Sequence, residues 1–441
     1  MLWMTWLISM GVWLGCDGGG DAPQSSPPPA VDPTAAEPAN ASADAGSDNA
    51  DAGSDGDAEG GRWRRARPAQ DTVTEQLDAL GYMDGYEQAP TVNGIIRHDQ
   101  NRVSAGYNFY FSGHGTEAVL MSMDGTVMHS WSLPFATSFP DEAPTPDRQD
   151  NTQSYWRRGH LLENGAILAI HSHYGVVRVN RNSELVWAVK NGAHHHMDIA
   201  EDGNIYVLTR KRDVFEEIGT QRLWGDAVDV LSVDGQEIRS VSILQALLDS
   251  EFTAVKERLG TTGSLLHTNS LQVLDGRMAS LIPAFKKGNI LLSFRTLDLL
   301  AVLDMETEQI VWVKEGPWLK QHDAFVLDED SMIVFNNNRG NRYSSVLIFN
   351  PQTDQIEWTF EGSRDEPFYS SSCGANQLLP NGNVLATESN YGRALEITPD
   401  GDVVWEFVSP HRAGADNELI ATLFEVERLP ASTDVSWASA P

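Results

Sequence analysis

The sequence predicts an all-β fold, a six-bladed β-propeller, from two observations. From about residue 102 onward, short apolar runs rich in Val, Ile, Tyr and Trp are separated by Asp-Gly and Asn-Gly turns. Within this region a Trp with apolar neighbours recurs at the spacing of one propeller blade. Each unit is too small to bury a face alone, so six of them predict a closed ring. A β-sandwich followed by a second domain is the alternative. The repeated tryptophans are Trp131, Trp187, Trp312, Trp358 and Trp405, and residues 238–241 fill the one gap without a Trp.

The region ahead of the propeller predicts three segments. Residues 1–16 are apolar, end in Cys16 and resemble a bacterial lipoprotein signal, with a plain signal peptide or a mis-called start codon as the alternatives. Residues 17–68, mostly Gly, Pro, Ala, Ser and Asp, predict a disordered acidic linker ending in an arginine cluster that we interpret as a solvated junction. Residues 69–101 predict a short helical lead-in, because Thr72 and Glu75 have capping-box spacing and Gly81 can end the helix. The propeller domain is then 102–441.

The lipoprotein interpretation predicts an exported protein on the periplasmic side or the cell surface, anchored by lipid at Cys16. A long polar tether directly after the cysteine suits a surface-anchored domain. Once Cys16 is lipidated, Cys373 is the remaining cysteine and no intramolecular disulfide is expected.

Charge and motifs narrow the function classes. The chain has 31 Lys and Arg against 62 Asp and Glu, a net charge of −31, which argues against nucleic acid as a partner. The sequence contains no Gly-x-Ser-x-Gly elbow, P-loop or Cys-x-x-Cys motif, so serine hydrolase, NTPase and thiol-redox functions lose their usual support.

Three histidines stand at matching places ahead of inner strands. His322 precedes Asp330 by the same number of residues as His195 precedes Gly203, and both of these later residues stand at a strand-connecting turn. His267, in the intervening unit, shows the same local pattern. Because strand residues alternate faces, the three imidazoles are predicted at comparable heights at one end of the central channel. Imidazoles packed together cost desolvation unless they bind something polar, so a reactive site is predicted there.

Two more residues are candidates for this site. Arg295 follows its turn glycine at the spacing that Arg210 shows in the preceding unit, and its planar fork suits an oxyanion, although a salt bridge is an equal alternative. Asn269 shares a strand face with His267 and can donate a hydrogen bond inward.

The run His194-His195-His196 invites a metal interpretation, but neighbouring strand residues point to opposite faces, so no metal is predicted. The residues leave open which of the three faces the channel, and register favours His195.

Seven stretches, in matching order from roughly residue 106 to 409, resemble the bacterial aryl-sulfate sulfotransferases. They include Gln321-His322-Asp323-Ala324, Ser293-Phe294-Arg295 and His267-Thr268-Asn269-Ser270, and the others are 106–110, 123–131, 194–199 and 379–385. The resemblance implies a periplasmic six-bladed propeller that moves a sulfuryl group from a phenolic sulfate ester to a phenol, without a nucleotide donor or other cofactor.

The resemblance also implies roles. The family's nucleophilic histidine falls on His322, its two further histidines on His195 and His267, its Asn on Asn269 and its Arg on Arg295. Sulfuryl transfer spreads negative charge over oxygens, so positioned cationic donors suit it, and a ping-pong scheme through a sulfated histidine follows.

This chain departs from the family in several places. His196 stands where the family commonly has Asp, and an insertion at 275–287 separates His267 from Arg295. The enteric members' disulfide cannot form after lipidation, and the region ahead of residue 106 is too short for the N-terminal β-domain of some members.

Two other functions remain as alternatives. The first is a propeller that binds a small anion or a partner protein in its channel without turnover. The second is a quinone-cofactor dehydrogenase, for which no residues argue.

Overall fold

Six antiparallel sheets surround a central axis in the computed structural model, which describes residues 87–142, 153–413 and 416–438. All of these residues fall within one compact unit, Ala66–Pro441. The predicted six-bladed β-propeller is confirmed, and the sandwich alternative is excluded. The predicted lipoprotein signal, the acidic linker and the helix over residues 71–81 lie outside the described residues.

Short strands and tight turns make up most of the described chain, and helices are few. The helices are single-turn α1 (Phe135–Ser138), α2 (Ile243–Leu248) and α3 (Thr253–Lys256), with 3₁₀ turns at Pro283–Phe285, Ser389–Tyr391 and Ser436–Ala438. The strands are β1 (Gly94–His98), β2 (Gly106–Ser112), β3 (Glu117–Met121), β4 (Val127–Ser132), β5 (Trp156–Leu161), β6 (Ile167–His171), β7 (Gly175–Val179), β8 (Leu185–Val189), β9 (Ala193–Ile199), β10 (Ile205–Val214), β11 (Arg222–Leu231), β12 (Glu237–Ser242), β13 (Thr268–Val273), β14 (Ile290–Phe294), β15 (Leu299–Asp304), β16 (Gln309–Glu315), β17 (His322–Val326), β18 (Met332–Asn336), β19 (Ser345–Phe349), β20 (Ile356–Glu361), β21 (Ala375–Leu378), β22 (Val384–Glu388), β23 (Arg393–Ile397), β24 (Val403–Val408), β25 (Arg412–Ala413), β26 (Leu419–Ile420) and β27 (Leu423–Pro430).

Blades 2 to 5 are up-and-down sheets in chain order, β5–β8, β9–β12, β13–β16 and β17–β20, each with its first strand nearest the axis. Blade 1 combines β2–β4 with β27 as its inner strand. Because the last long strand pairs with the second, from Gly106 opposite Pro430 to Ser112 opposite Leu423, the ring closes within one sheet. A two-stranded sheet of β25 and β26 lies outside the blades.

Blade 6 contains β21–β24 and gains a fifth strand, β1, at its outer edge. Gly94 lies opposite Val408 and His98 opposite Trp405. Residues 94–98 fall in the segment 69–101 that the sequence assigned to a helical lead-in ahead of the propeller, and these five residues form a strand of the propeller instead. The sequence signal was weak because β1 holds only two apolar residues, Ile95 and Ile96.

The repeated Trp has a structural cause, since in four of the six blades it ties the outer strand to the next blade. The Trp131 indole donates to the Gly165 carbonyl at 3.0 Å, although these residues belong to blades 1 and 2. Three further indoles do the same between other neighbouring blades, with lengths of 2.9 to 3.1 Å: Trp187 to Val233, Trp358 to Pro399 and Trp405 to Met123. Each of these four indole N–H groups therefore finds a carbonyl of the next blade.

Hydrogen bonds between inner strands fix their relative height. The Val273 N–H donates to the Asp198 carboxylate at 2.8 Å, and the Val326 N–H donates to the Gln272 side chain at 2.7 Å. In blade 1 the Arg428 N–H donates to the Gln377 side chain at 2.8 Å. In each case the acceptor stands one position earlier on the neighbouring inner strand, so Val273, Val326 and Arg428 occupy equivalent places.

Candidate active site

Six residues, one from each blade, lie at the same height around the axis. Leu161, Ile199 and Leu378 of blades 2, 3 and 6 stand at the same height as Val273, Val326 and Arg428, because they pair with the first residue of the second strand (Ile167, Ile205 and Val384). Counting back the same number of residues from each of these six positions gives one equivalent residue in each inner strand. The ring so defined, called the axial ring, is Phe424, Arg157, His195, Asn269, His322 and Gly374. All six residues line one cavity of about 10 Å³, the small chamber, together with Arg158, Asp323 and Cys373.

The regular pairing of the inner strands is interrupted where they reach this chamber. Pairing shifts register between Thr268 and Ser270 in β13 and between His322 and Phe325 in β17, as expected of β-bulges. Positive φ angles of 50 to 58° occur nearby at His195, His267, Asp323 and Cys373. Such backbone is uncommon for residues other than glycine, and the packing of the ring holds it in place to re-aim side chains toward the axis.

The register predicted for His267 is off by two residues. Counting back from Val273 places Asn269, not His267, at the height of His195 and His322, whereas the local pattern that assigned His267 had aligned Leu271 with Ile199 and Val326. His267 lies just outside the ring, and its imidazole centre is 5.0 Å from that of His195. Asn269 donates through Nδ2 to the Gln321 carbonyl at 2.8 Å. The structure therefore brings both residues into the cluster, in two layers.

Arg295 reaches the cluster despite the insertion. It follows β14 directly, and because β14 runs antiparallel to β13, the Arg295 N–H lies 3.3 Å from the His267 carbonyl. The insertion extends from the other end of this strand pair, and Phe285 within it packs against Trp312 with ring centres 4.9 Å apart. The longer sequence separation therefore leaves Arg295 beside His267.

Hydrogen bonds define the tautomer of His322. The Asn337 amide donates through Nδ2 to the carbonyls of Ser370 and Cys373, at 2.8 and 2.5 Å, which orients its Oδ1 toward the imidazole. His322 Nδ1 lies 2.6 Å from that Oδ1 and 3.1 Å from the Lys320 carbonyl. Both neighbours accept hydrogen bonds, so Nδ1 carries the proton and Nε2 carries the lone pair.

Burial keeps the imidazoles of the cluster neutral. Burial lowers the pKa of His322 and of His267 well below the usual value of 6.5, and the charge of Arg295 adds to both shifts. Burial likewise lowers the pKa of His195 well below 6.5, with Arg157 contributing next. A neutral imidazole retains a lone pair that can attack an electrophile or accept a proton.

Two consecutive arginines in blade 2 belong to the site and were missed by the sequence analysis. Arg157 is the axial-ring residue of this blade, with Nη2 3.3 Å from the Cys373 sulfur and its guanidinium 5.2 Å from the Phe424 ring centre. A usable signal existed, because Arg157 precedes the turn residue Gly165 by the same spacing that links His195 to Gly203.

Arg158 closes the small chamber on its far side. Its guanidinium pairs with Asp323 at 2.6 Å and with Glu425 at 2.9 Å, and all three side chains come from different blades. Asp323 also accepts from the Asn376 N–H at 2.7 Å. Burial raises the pKa of Asp323, and the charge of Arg158 opposes that rise. We call these three side chains the floor.

A second cavity, the wide chamber, lies beyond the floor on the same axis. Its volume is about 280 Å³, and it is lined by later residues of the inner strands. Carboxyl groups of Asp198, Glu425 and Glu427 face an apolar wall that includes Phe325 and Ile333. Burial raises the pKa of Glu427.

The three consecutive histidines have three different environments. His195 lines the small chamber and His196 lines the wide chamber. His194 is buried beneath His195, and its Nδ1 lies 2.8 Å from the Nδ1 of His195. Among the described residues, no group of three or more His, Cys, Asp or Glu side chains is arranged to hold a metal ion.

A family model described as Arylsulfotransferase (ASST) matches residues 159–410, more than half of the chain. The chain belongs to this family. The match begins after Arg157 and Arg158 and ends before Phe424 and Glu425, so these four residues of the candidate site lie outside the matched region. A search of curated proteins found no match.

Solved structures with similar folds have little sequence identity to this arylsulfotransferase-family chain. A protein of unknown function from Bacteroides caccae is 12% identical, with 73% of this chain and 98% of that one covered and a TM-score of 0.47. The virginiamycin B lyase from Staphylococcus aureus is 9% identical, with coverages of 73% and 88% and a TM-score of 0.39. BamB from Moraxella catarrhalis is 10% identical, with coverages of 74% and 89% and a TM-score of 0.35. None of these scores carries an inference about this chain.

Proposed function

We propose that this chain transfers a sulfuryl group from a phenolic sulfate ester to a phenol, through an intermediate in which His322 carries the group. The tautomer of His322 is the observation that supports this proposal most. Its Nδ1 proton is engaged by Asn337 and the Lys320 carbonyl, so the Nε2 lone pair is the one available in the small chamber. Family membership supplies the reaction class.

The first half-reaction forms a sulfur–nitrogen bond. His322 Nε2 attacks the ester sulfur, the bond from sulfur to the aryl oxygen breaks, and its electron pair leaves with the phenolate. Charge spread over the three sulfuryl oxygens is stabilised by the nearby guanidinium groups, for which Arg157 and Arg295 are placed. Attack requires a neutral imidazole, which burial of His322 favours.

The second half-reaction reverses the first with a new phenol. The phenol oxygen attacks sulfur, the sulfur–nitrogen bond breaks, and its electron pair returns to His322 Nε2. The phenol must lose a proton in this step, and a neutral neighbouring imidazole can accept it, whereas the phenolate released in the first step takes its proton from water. His195 and His267 are the candidates, and Asn269, with one amide hydrogen bonded to Gln321, can orient the substrate oxygen.

Trapping the intermediate tests this function. Purified protein is mixed with a chromogenic aryl sulfate, quenched in alkali and digested, and the peptide containing His322 is examined by mass spectrometry for a sulfuryl adduct. Initial rates at several donor and acceptor concentrations should give the parallel reciprocal plots of a ping-pong scheme. His322→Ala should abolish adduct and turnover.

His160→Ala is the matched control, because His160 lines the wide chamber and hydrogen-bonds only a backbone carbonyl, that of Met197 at 3.0 Å. This variant should keep both adduct and turnover. Donor binding without adduct or turnover in the wild-type protein would instead favour a propeller that binds anions without catalysis.

Export and anchoring at Cys16 are part of the same proposal. A donor ester outside the cytoplasm would be used without nucleotide sulfate, and the acidic segment 17–68 after Cys16 suits a tether. In the described part of the chain, no helix has the length and hydropathy needed to cross a bilayer. Fractionation tests the proposal: Cys16→Ser should move the protein from the membrane fraction to the soluble fraction of the expressing cell.

A further inference from the structure

His194 and His195 share a single proton between their Nδ1 atoms. These atoms are 2.8 Å apart, and burial lowers the pKa of both imidazoles well below 6.5. When both rings are neutral, a contact of this length requires one Nδ1 to donate and the other to accept. Two arrangements satisfy the contact, and they leave opposite tautomers on His195.

Asp226 distinguishes the two arrangements. Its Oδ1 lies 3.7 Å from Nε2 of His194, within the reach of an attractive electrostatic contact. The carboxylate is fixed by the Thr268 N–H at 2.7 Å and by Arg210 Nε at 3.2 Å. Asp226 and His194 are both buried, with 4% and 0% of their surfaces exposed, so water screens the interaction little, while the charge of Arg210 offsets part of it.

A lone pair on His194 Nε2 would face this carboxylate and be repelled, whereas a proton there is attracted. With the proton on Nε2, His194 Nδ1 becomes the acceptor and His195 Nδ1 the donor. His195 Nε2 then carries a lone pair. This atom is buried and has no hydrogen-bond partner among the described residues, while its imidazole lines the small chamber.

We propose that Asp226 and His194 are positioning residues that hold His195 in its Nδ1–H tautomer, so that His195 Nε2 is the base that takes the proton of the acceptor phenol. This inference rests on the proposed function and deepens it. The phenol proton passes to His195 Nε2 as the phenol oxygen attacks the sulfuryl group on His322 and the sulfur–nitrogen bond breaks. His195 then releases this proton to water, so its Nε2 is bare again before the next cycle.

The other groups facing His195 fit this role. Arg157, His173 and His267 surround its ring in addition to His194. None of them is a carboxylate, so none opposes the lone pair on Nε2 by like charge. His267 has no comparable carboxylate relay among the contacts of the described residues, which makes His195 the better placed base of the two.

Histidine-selective ¹⁵N labelling tests the tautomer without any turnover. The wild-type spectrum should show His195 with a protonated Nδ1 and a bare Nε2, assigned by the signal lost in His195→Gln. Asp226→Asn can donate an amide hydrogen to His194 Nε2, so it should reverse the arrangement and protonate His195 Nε2. A protonated His195 Nε2 in the wild type, or a tautomer that Asp226→Asn leaves unchanged, would overturn the inference.

Acceptor dependence gives a second measurement. Asp226→Asn should slow transfer to phenols that are neutral at the assay pH by about 100-fold, the size of a general-base contribution, and slow transfer to phenols already ionised by less than about threefold. His194→Phe should behave like Asp226→Asn, whereas His194→Gln keeps an oxygen acceptor for His195 Nδ1 and should recover most of the rate. Equal losses with both classes of phenol would contradict the role as a base.

Asp229→Asn is the matched control, because Asp229 is a buried carboxylate on the same strand, β11, that bonds Lys211 and Ser240 and does not contact the histidines. It should leave the acceptor dependence unchanged. If the wild-type protein forms no His322 adduct, the proposed function fails while the tautomer measurement remains decisive for the relay. If the adduct forms and the variants show no selective loss, only the relay fails.

Discussion

The two chambers on the propeller axis are built from the same strands yet have opposite chemistry. The small chamber, about 10 Å³, is surrounded by imidazole and guanidinium groups. The wide chamber, about 280 Å³, has carboxyl groups and an apolar wall. Consecutive residues divide between them, since His195 lines the first and His196 the second. A one-residue step on a bulged strand is therefore enough to separate a candidate reactive site from a solvated channel.

The floor allows this contrast to exist in a protein of net charge −31. Arg158 pairs with the two carboxylates nearest the small chamber and offsets one of their two charges, so Asp323 and Glu425 oppose the cationic field of Arg157 and Arg295 less than they would without it. Anions are then favoured on one side of the floor and not on the other. Three substitutions test this comparison, beginning with the floor itself.

Arg158→Met should give the largest loss of stability. It leaves Asp323 and Glu425 buried without their cation, and removing one partner of a buried ion pair typically costs about 3–5 kcal/mol. Chemical denaturation should show this loss at pH 8. Without Arg158 both carboxyl pKa values should rise further, since its charge now lowers them. Protonation then stabilises the folded variant as pH falls, so the loss should be smaller at pH 5 than at pH 8.

A loss that is the same at both pH values would mean that packing of the arginine side chain matters more than its charge. Glu427→Gln is a suitable control, because Glu427 lines the wide chamber outside the floor. Its substitution removes a carboxyl whose pKa burial raises, and it should not reduce stability at pH 8.

Arg295→Met should lower kcat/KM for aryl sulfate by about 10²–10³-fold, the usual cost of removing one donor to a developing oxyanion. Arg295 is 5% exposed, and its charge acts on both His267 and His322. Arg295→Lys keeps the charge but loses the planar fork and should recover only part of the rate. Full activity in Arg295→Met would move the oxyanion-binding role to Arg157.

The sequence predicted the fold better than it predicted the site. The Trp repeat was readable because four of its five indoles make the same hydrogen bond between neighbouring blades, so one residue type recurs at one spacing. β1 was not readable as a strand of the propeller, because a fifth strand at an outer edge repeats nothing in the other blades.

Within the site, comparing blades found only the residues that recur from one blade to another. His195 and His322 were found because blades 3 and 5 carry the same residue at the same position. Arg157, Phe424 and Gly374 occupy that position in other blades with unrelated side chains, so no pattern of residue types marks them. His267 was assigned to the wrong layer, since Leu271 and Val273 are both apolar and the local pattern aligned the first of them, not the second, with Val326. Such residues are identified by their position in the hydrogen-bonded pairing of the inner strands, and residue type alone does not identify them.

His196→Leu should give the smallest effect, a change in how stability depends on pH. Burial, then the charge of Arg158, lowers the pKa of His196 well below 6.5 in the folded protein. As pH falls below about 6.5, the unfolded chain binds a proton at this histidine and the folded protein does not, so stability falls. Removing the imidazole should remove a slope of at most about 1.4 kcal/mol per pH unit.

The wild-type slope alone cannot isolate this contribution, because buried carboxyls act with the opposite sign. Burial raises the pKa of Glu388 to about 7, so its protonation stabilises the folded state as pH falls from about 7 toward its unfolded value. The difference between wild type and His196→Leu cancels that contribution. Denaturant midpoints of the two proteins should coincide at pH 8 and diverge between pH 6.5 and 5, with the variant the more stable at low pH. Parallel curves over this range would mean that His196 is protonated in the folded protein, with the wide chamber admitting enough water and carboxylate charge to stabilise the imidazolium.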